Sequence, residues 1–596
     1  MNYFAILTPN QYLLLALYLV SWDIIGFGLF SSSVKNHPFI RPVTWLLGLG
    51  IYSLLIFSIH FFYPFTSVLI PIGNFLIALL FLPIYLRSSG ISSFLNFFHN
   101  HKLFLLIILP LAPLIFVKSS LPPYAWDEMT YHYISPYVLN HEQHWVFGGL
   151  YGNLPRTLET AWIGLFAVFK TYMPARLIHS LIFISFQLCL YSLLSLRSSK
   201  AIALTAISLL NVLSIPVEAT LGYVDVAAAS FITLASVVGI YSILKDHTLL
   251  PISLALWGLA LGSKYNALLP TAIFFGIILT ALMITKSKTL FKSLFFGLTL
   301  LVLMGGYWYI KNLVVYQTPI YPFFLFGCSN QECQNFLTGF KAAWAGTGET
   351  FSSLWISLRH QLSLRRLAVL ISVSTMGIIL LWRGRHHSQT RFALVLALIL
   401  LADFLVSSRI FIFIPRYYYH WLFLGTTIFG LLMGSLFPVR KIFTIPLLLI
   451  LSLQLFRFSK NTLAYFTNPD SQREIQFSQG QSTVASWIAA VLPLTHQIVE
   501  WCNNQSQTQY LVNMDPDLIW FDSQGRFDIF LVNCSFTGLA ETGQSYLVSL
   551  SPCLPEVTSK HSLEDEQILS LRRQNNDLVC KSQPVVPGLY VYKAQN

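Results

Sequence analysis

The sequence predicts an all-α polytopic membrane protein of about fourteen transmembrane helices, followed by a small C-terminal soluble α/β domain. Three observations lead there. Hydrophobic residues fill 55% of the 596 positions and charged residues only 10%, with a mean hydropathy of +0.63, which is too apolar for a soluble chain of this length. Apolar runs of about the 17–25 residues that cross a bilayer recur through the first three quarters of the chain. From about residue 461 the composition turns polar and the periodicity changes.

The candidate spans are 11–33, 43–63, 67–86, 102–117, 174–196, 201–217, 226–244, 251–263, 265–285, 293–310, 363–382, 392–408, 417–437 and 442–458. The run 251–263 is short and pairs with its neighbour across the break at Ser263-Lys264-Tyr265. An even number of crossings puts both termini on one side. Lys35, Arg41, Arg87, Lys102, Arg197, Lys200, Lys245, Lys286, Lys288, Lys292, Arg383, Arg385, Arg391, Arg440 and Lys441 then share one face. On the other face, 63–67 and 217–226 carry no Lys or Arg, and 408–417 carries only Arg409 and Arg416. Basic loops mark the cytoplasmic side, so both termini are expected on the extracytoplasmic side of the plasma (inner) membrane. The net charge of +12 thereby has a topological source, and nucleic acid is not an expected partner. The first run lacks a basic leader and a small-residue cleavage site, so it reads as a span and not as a removable signal peptide.

Cysteine placement agrees with this topology. Cys328 and Cys333 share one outer loop, Cys502, Cys534, Cys553 and Cys580 belong to the C-terminal segment, and Cys189 lies within a span. Even numbers in each external segment make the six outer cysteines disulfide candidates in an oxidising compartment, with the pairing open.

Three regions follow. Residues 1–100 hold extra N-terminal spans with no outer acidic cluster. Residues 101–460 hold the spans between which the unusual polar residues lie, with outer loops 118–173 and 311–362. Residues 461–596 combine a helical pattern at Thr483–Trp501 with strand-like runs at Tyr510–Met514, Phe527–Cys534, Tyr546–Leu550 and Gly588–Tyr592. Within the first outer loop, Leu158–Lys170 is apolar but too short to span, and reads as an in-plane or re-entrant helix at the interface.

The residues able to carry chemistry are few. Asp127 and Glu128 follow a Pro-Pro turn and a Trp at the expected membrane surface, where partial desolvation raises a carboxylate towards the pKa of a general base. The same pair would hold a divalent cation if one were used, although no cofactor is required and no metal-ligand spacing surrounds His132, His141 or the His386-His387 pair. Asp225 stands at the outer end of a span, where an ionisable group lines a cavity, finds a partner or caps the following helix. Lys264, followed by Tyr265, lies between two apolar half-helices and is the best single phosphate-binding candidate. Arg416 offers bidentate contacts at another outer span end. Arg156 and Glu159 border the short helix, placed to orient an acceptor or to pair with one another. The lack of a Gly-rich phosphate loop argues against nucleotide hydrolysis.

The segment Trp126-Asp127-Glu128-Met129-Thr130-Tyr131-His132 in the first large outer loop resembles the signature of the C-type (GT-C) membrane glycosyltransferases. The likeness is greatest to the bacterial protein mannosyltransferase-like and RgtA/B/C/D-like types. Asn153-Leu154-Pro155 with Glu159, Tyr223-Val224-Asp225, Gly258 to Tyr265, Lys311-Asn312 with Pro319-Ile320-Tyr321-Pro322, and Arg416-Tyr417 follow in order, so that the resemblance covers about residues 101–430. It implies a polyprenyl-phosphate-linked sugar donor, a lipid, glycan or protein acceptor, and an inverting transfer on the extracytoplasmic face. Carried over, Asp127 is the general base, Glu128 and Glu159 support the acceptor or donor, and Lys264 and Arg416 meet the donor phosphate. Two departures stand out: Lys311 occupies a position where the resemblance leads one to expect Arg, and three extra spans precede the acidic loop.

Two other readings compete. A transporter or lipid flippase calls for charges near the mid-plane and inverted repeats, whereas the candidates here gather at one face and no repeat is visible. A membrane-anchored assembly protein acting through 461–596 leaves Asp127, Asp225 and Lys264 unexplained.

Overall fold

The computed structural model describes residues 6–62, 68–121, 128, 132, 154–211, 215–321, 388–410, 419–436, 456, 460, 462–481 and five strands between 508 and 593. Seven helices are long and apolar enough to cross a membrane among these residues: Pro9–Asn36, Pro38–Ile59, Leu69–Arg87, Met173–Leu196, Asp225–Leu244, Tyr265–Thr285 and Lys288–Tyr316. Six shorter apolar helices accompany them. The chain is therefore a helical membrane protein. The run expected at 363–382 lies outside the described residues, and the run at 442–458 is described at Phe456 alone.

The chain divides into two compact units. The larger comprises Leu7–Ser119 and Ser135–Thr467. It begins with α1 (Pro9–Asn36), α2 (Thr44–Phe62), α3 (Leu69–Arg87), α4 (Gly90–Asn100) and α5 (Leu105–Ser120). It continues with α6 (Thr157–Phe169), α7 (Met173–Arg197), α8 (Lys200–Asn211), α9 (Asp225–Leu244), α10 (Leu250–Ser263) and α11 (Leu268–Thr285). Then come α12 (Lys288–Leu301), a π-helical turn at Val302–Gly306, α13 (Tyr307–Tyr316), α14 (Ser388–Ile410) and α15 (Tyr419–Leu436). Burial sorts these helices. The apolar windows of α7 and α9 are 83% and 89% buried, which makes them the centre, whereas α3 and the two spans from Tyr265 to Tyr316 are a third buried or less. Large apolar side chains such as Leu80, Ile284, Phe295 and Val314 are exposed on those peripheral helices, as lipid-facing surfaces require.

The smaller unit comprises Met1–Ile6, Ser120–Ile134 and Asn468–Asn596. It holds α16 (Pro469–Ser478) and strands β1 (Thr508–Val512), β2 (Cys534–Phe536), β3 (Tyr546–Ser549), β4 (Pro584–Val586) and β5 (Leu589–Lys593). The sheet order is β2-β1-β3-β5-β4. β1 pairs in parallel with β2 (Thr508 opposite Cys534) and with β3 (Tyr510 opposite Tyr546), and β3 pairs antiparallel with β5 (Leu547 opposite Tyr592).

Two details of the larger unit go beyond the sequence. Arg41, in the connection Pro38–Val43 between α1 and α2, is buried. It is 2% exposed and holds both carboxylate oxygens of Asp23, bonding Thr44 at 2.5 Å and reaching Tyr85 and the Gly90 carbonyl at 3.4 Å, between the rings of Phe27 and Phe94. This network ties α1, α2, α3 and α4 together, its bonds from the two terminal guanidinium nitrogens offsetting part of the lost hydration. The short helix expected in this segment is present as α6. Every residue of α6 except Val168 is buried, so its apolar character reflects enclosure on all sides.

Candidate functional site

The site is assembled in the larger unit from the ends of four helices. α9 starts at Asp225, just after the Gly222-Tyr223-Val224 turn, and Asp225 is 1% exposed. Val224, at the N-cap, makes no side-chain capping bond. The capping work falls instead to His179 of α7. Its Nε2 accepts from the Ala227 N–H at 3.2 Å, and its Nδ1 donates to the Leu221 carbonyl at 2.7 Å. These two bonds fix a neutral tautomer and hold the start of α9. The Asp225 carboxylate is thus released from capping and bonds the Lys264 ammonium directly.

Lys264 is where the sequence placed it, between two helical segments. α10 ends at Ser263, Lys264 is extended (φ −162°, ψ 143°), and a single 3-10 turn at Tyr265–Ala267 leads into α11. The break aims its ammonium back at Asp225, with the Lys264 side chain keeping 18% of its surface exposed against 1% for Asp225. The pair is therefore reachable from the lysine side.

The next residue, Tyr265, extends the site towards α13. Its hydroxyl donates to the Tyr321 carbonyl at 2.5 Å and accepts from Asn312 Nδ2 at 3.4 Å. The Lys311 ammonium donates to Asn312 Oδ1 at 2.8 Å and lies over the rings of Trp308 and Tyr316. Lys311, where the resemblance leads one to expect Arg, is 5% exposed and within electrostatic reach of Arg156.

Arg156 is the residue before α6, and Glu159 is in its first turn, where an acid favours the helix dipole. Both are buried. The start of α6 is fastened by Ser53 of α2, which donates to the Thr157 carbonyl at 2.5 Å and accepts from the Tyr307 hydroxyl at 2.9 Å. Glu159 lies within electrostatic reach of that same Tyr307. The N-terminal helices are therefore part of the site's frame and not an appendage.

Close backbone approach makes this convergence feasible. A Cβ on Gly262 would lie 2.1 Å from Thr157 Oγ1 and 2.6 Å from the Gly305 Cα, and one on Gly305 would lie 2.1 Å from the Gly258 carbonyl oxygen. The π-helical turn at Val302–Gly306 delivers Gly305 to this contact. Gly262→Ala is expected to lower the melting temperature of the purified protein, with a cost of about 1–3 kcal/mol from overpacking; a melting curve superposing on that of the wild type would contradict the contact.

Of the other candidates, Glu128 and His132 are both buried, within the smaller unit. Asp127, Arg416, Cys328, Cys333, Cys502, Cys553 and Cys580 lie outside the described residues, as does the side chain of Cys534. Among the described residues no group of three or more His, Cys, Asp or Glu is arranged to hold a metal ion.

One buried acid escaped the sequence reading. Asp403, in α14, accepts from His420 Nε2 at 2.7 Å and from the Trp421 indole, both in the first turn of α15. Asp403 and His420 are each 1% exposed. The signal was present, since an acid inside the apolar run 392–408 demands a partner. The clamp fixes the start of α15, three residues after Arg416.

No family model, curated protein or solved structure matches this chain.

Proposed function

We propose that this protein is an integral membrane glycosyltransferase that moves a sugar from a polyprenyl-phosphate donor to an acceptor hydroxyl. The observation that carries the reading is the concentration of Arg156, Glu159, Asp225, Lys264 and Lys311, with Tyr265 and Asn312, at adjoining ends of α6, α9, α10 and α13. Buried charges of both signs at helix breaks suit a substrate that is both anionic and rich in hydroxyls.

In this reaction the acceptor oxygen attacks the anomeric carbon and its proton passes to a carboxylate, assigned to Asp127 by the resemblance, with Glu128 beside it. The bond from the anomeric carbon to the phosphate oxygen breaks, and the polyprenyl phosphate leaves with the electron pair. Attack opposite the leaving group inverts the anomeric configuration. Lys264, Arg156 and Arg416 supply positive charge for the departing phosphate, and Asp225 orients Lys264. Glu159 and Tyr265 offer hydrogen bonds to sugar hydroxyls. No cofactor enters this scheme; a divalent cation would belong at Asp127 and Glu128. The same reading carries fourteen crossings, both termini and the active site on the extracytoplasmic face of the plasma membrane, and residues 461–596 as a separate soluble α/β domain.

The test is transfer by the reconstituted protein from a panel of polyprenyl-phosphate sugars, comparing wild type with Asp127→Asn. Loss of the base is expected to lower kcat by about 10²–10⁴-fold with little change in donor KM. Undiminished turnover by Asp127→Asn removes Asp127 as base, and absence of transfer from every donor by the wild type removes the reading.

A further inference from the structure

At the turn joining α11 to α12 the surface opens into a cavity of about 480 Å³ lined by Leu282, Lys286, Ser287, Lys288, Phe291 and Lys292. Three of its six lining residues are lysines, and all three are exposed. The sequence from Leu268 to Tyr316 contains no Asp or Glu, so neither span offers these ammonium groups a carboxylate. The N-terminus of α12 adds the positive end of its helix dipole at the same place. Its N-cap, Ser287, is occupied in accepting from the Leu290 N–H at 3.2 Å.

Apolar surface flanks the lysines. Phe291, in the cavity wall, is 62% exposed, and Met283, Ile284 and Phe295 are exposed by 70% or more on the two helices leading into it. Lys286 itself is left-handed, with φ of 49°. That conformation favours glycine, so a lysine there is held against the backbone's preference.

We infer that this cavity binds the phosphate headgroup of an anionic phospholipid, whose acyl chains lie along the exposed apolar faces of α11 and α12. The charge complementarity is one-sided, the greasy walls continue into spans that face lipid, and basic recesses at helix ends recognise headgroups in this way. A soluble anion would use the lysines but have no need of Phe291, Met283 or Ile284. The site involves none of the residues assigned to sugar transfer, so its test is independent of that reaction.

The full chain, purified in neutral detergent, is titrated with phosphatidylglycerol and with phosphatidylcholine, and bound lipid is counted by native mass spectrometry. Wild type is expected to bind phosphatidylglycerol preferentially. The combined variant Lys286→Gly, Lys288→Gln, Lys292→Gln is expected to bind it on the order of a hundred-fold more weakly, given the contribution of each basic residue near an anionic headgroup. Lys286→Gly removes the left-handed strain, so the variant should melt no lower than wild type in phosphatidylcholine. A control with the same loss of charge elsewhere, Lys35→Gln, Lys200→Gln, Lys245→Gln, should keep wild-type affinity. Equal loss in the control, unchanged binding by the lysine variant, or no preference for phosphatidylglycerol in the wild type each overturns the proposal. Displacement of the lipid by inorganic phosphate at matched concentration also overturns it, in favour of a free-anion site.

Discussion

Lys264→Met is expected to cost about 3–5 kcal/mol of folding stability and to abolish sugar transfer. The stability loss follows from burial: Asp225, 1% exposed, loses the ammonium group it is bonded to and is left charged at the start of α9. Adding Asp225→Asn removes the buried carboxylate charge, so the double variant should recover much of the stability, read as a melting temperature in detergent. Activity separates the two roles of the lysine. If Lys264 meets the donor phosphate, the double variant stays inactive although it folds; if Lys264 only neutralises Asp225, activity returns with stability. A single variant that melts with the wild type would show that the pair contributes nothing as a buried ion pair.

Arg41→Leu is expected to be as destabilising, about 3–5 kcal/mol, for the same physical reason at a place with no part in the chemistry. Asp23, Thr44, Tyr85 and the Gly90 carbonyl would all lose a donor at once. The double variant Asp23→Leu, Arg41→Leu replaces the buried pair with apolar groups, which is commonly neutral or stabilising. Its melting temperature should therefore return to near wild type or exceed it, and donor KM should be unchanged. A double variant as unstable as Arg41→Leu alone would mean that the network serves a geometry which apolar packing cannot reproduce.

How far the sequence revealed the molecule depended on the range of the interaction. The span at 226–244 was legible almost to the residue because Asp225 and Lys245 bracket an uninterrupted apolar run. The break at Lys264 was legible because Ser-Lys-Tyr-Asn interrupts two such runs. The pairing of Asp225 with Lys264 was not, since 39 positions separate them and nothing local couples the two. The burial of Arg41 was not legible, because a loop arginine and a buried one look alike until Asp23 is known to face it. Lys311 stands where the resemblance leads one to expect Arg, and its burial beside Trp308 and Asn312 is a feature that the residue type alone does not show. The close approaches at Gly262 and Gly305 left no sequence trace beyond the glycines themselves.

The enclosure of α6 bears on how the chain is made. At 13 residues it is about 20 Å long, short of the roughly 30 Å of bilayer hydrocarbon, so it has no stable place in lipid on its own. Its two ends are held by residues synthesised long before it: Ser53 bonds the Thr157 carbonyl, and Gln11 Nε2 donates to the Phe169 carbonyl at 3.0 Å. Both ends of α6 are therefore fastened to residues of the first two helices. Removing residues 1–100 would remove both of these bonds from the ends of the segment that carries Glu159.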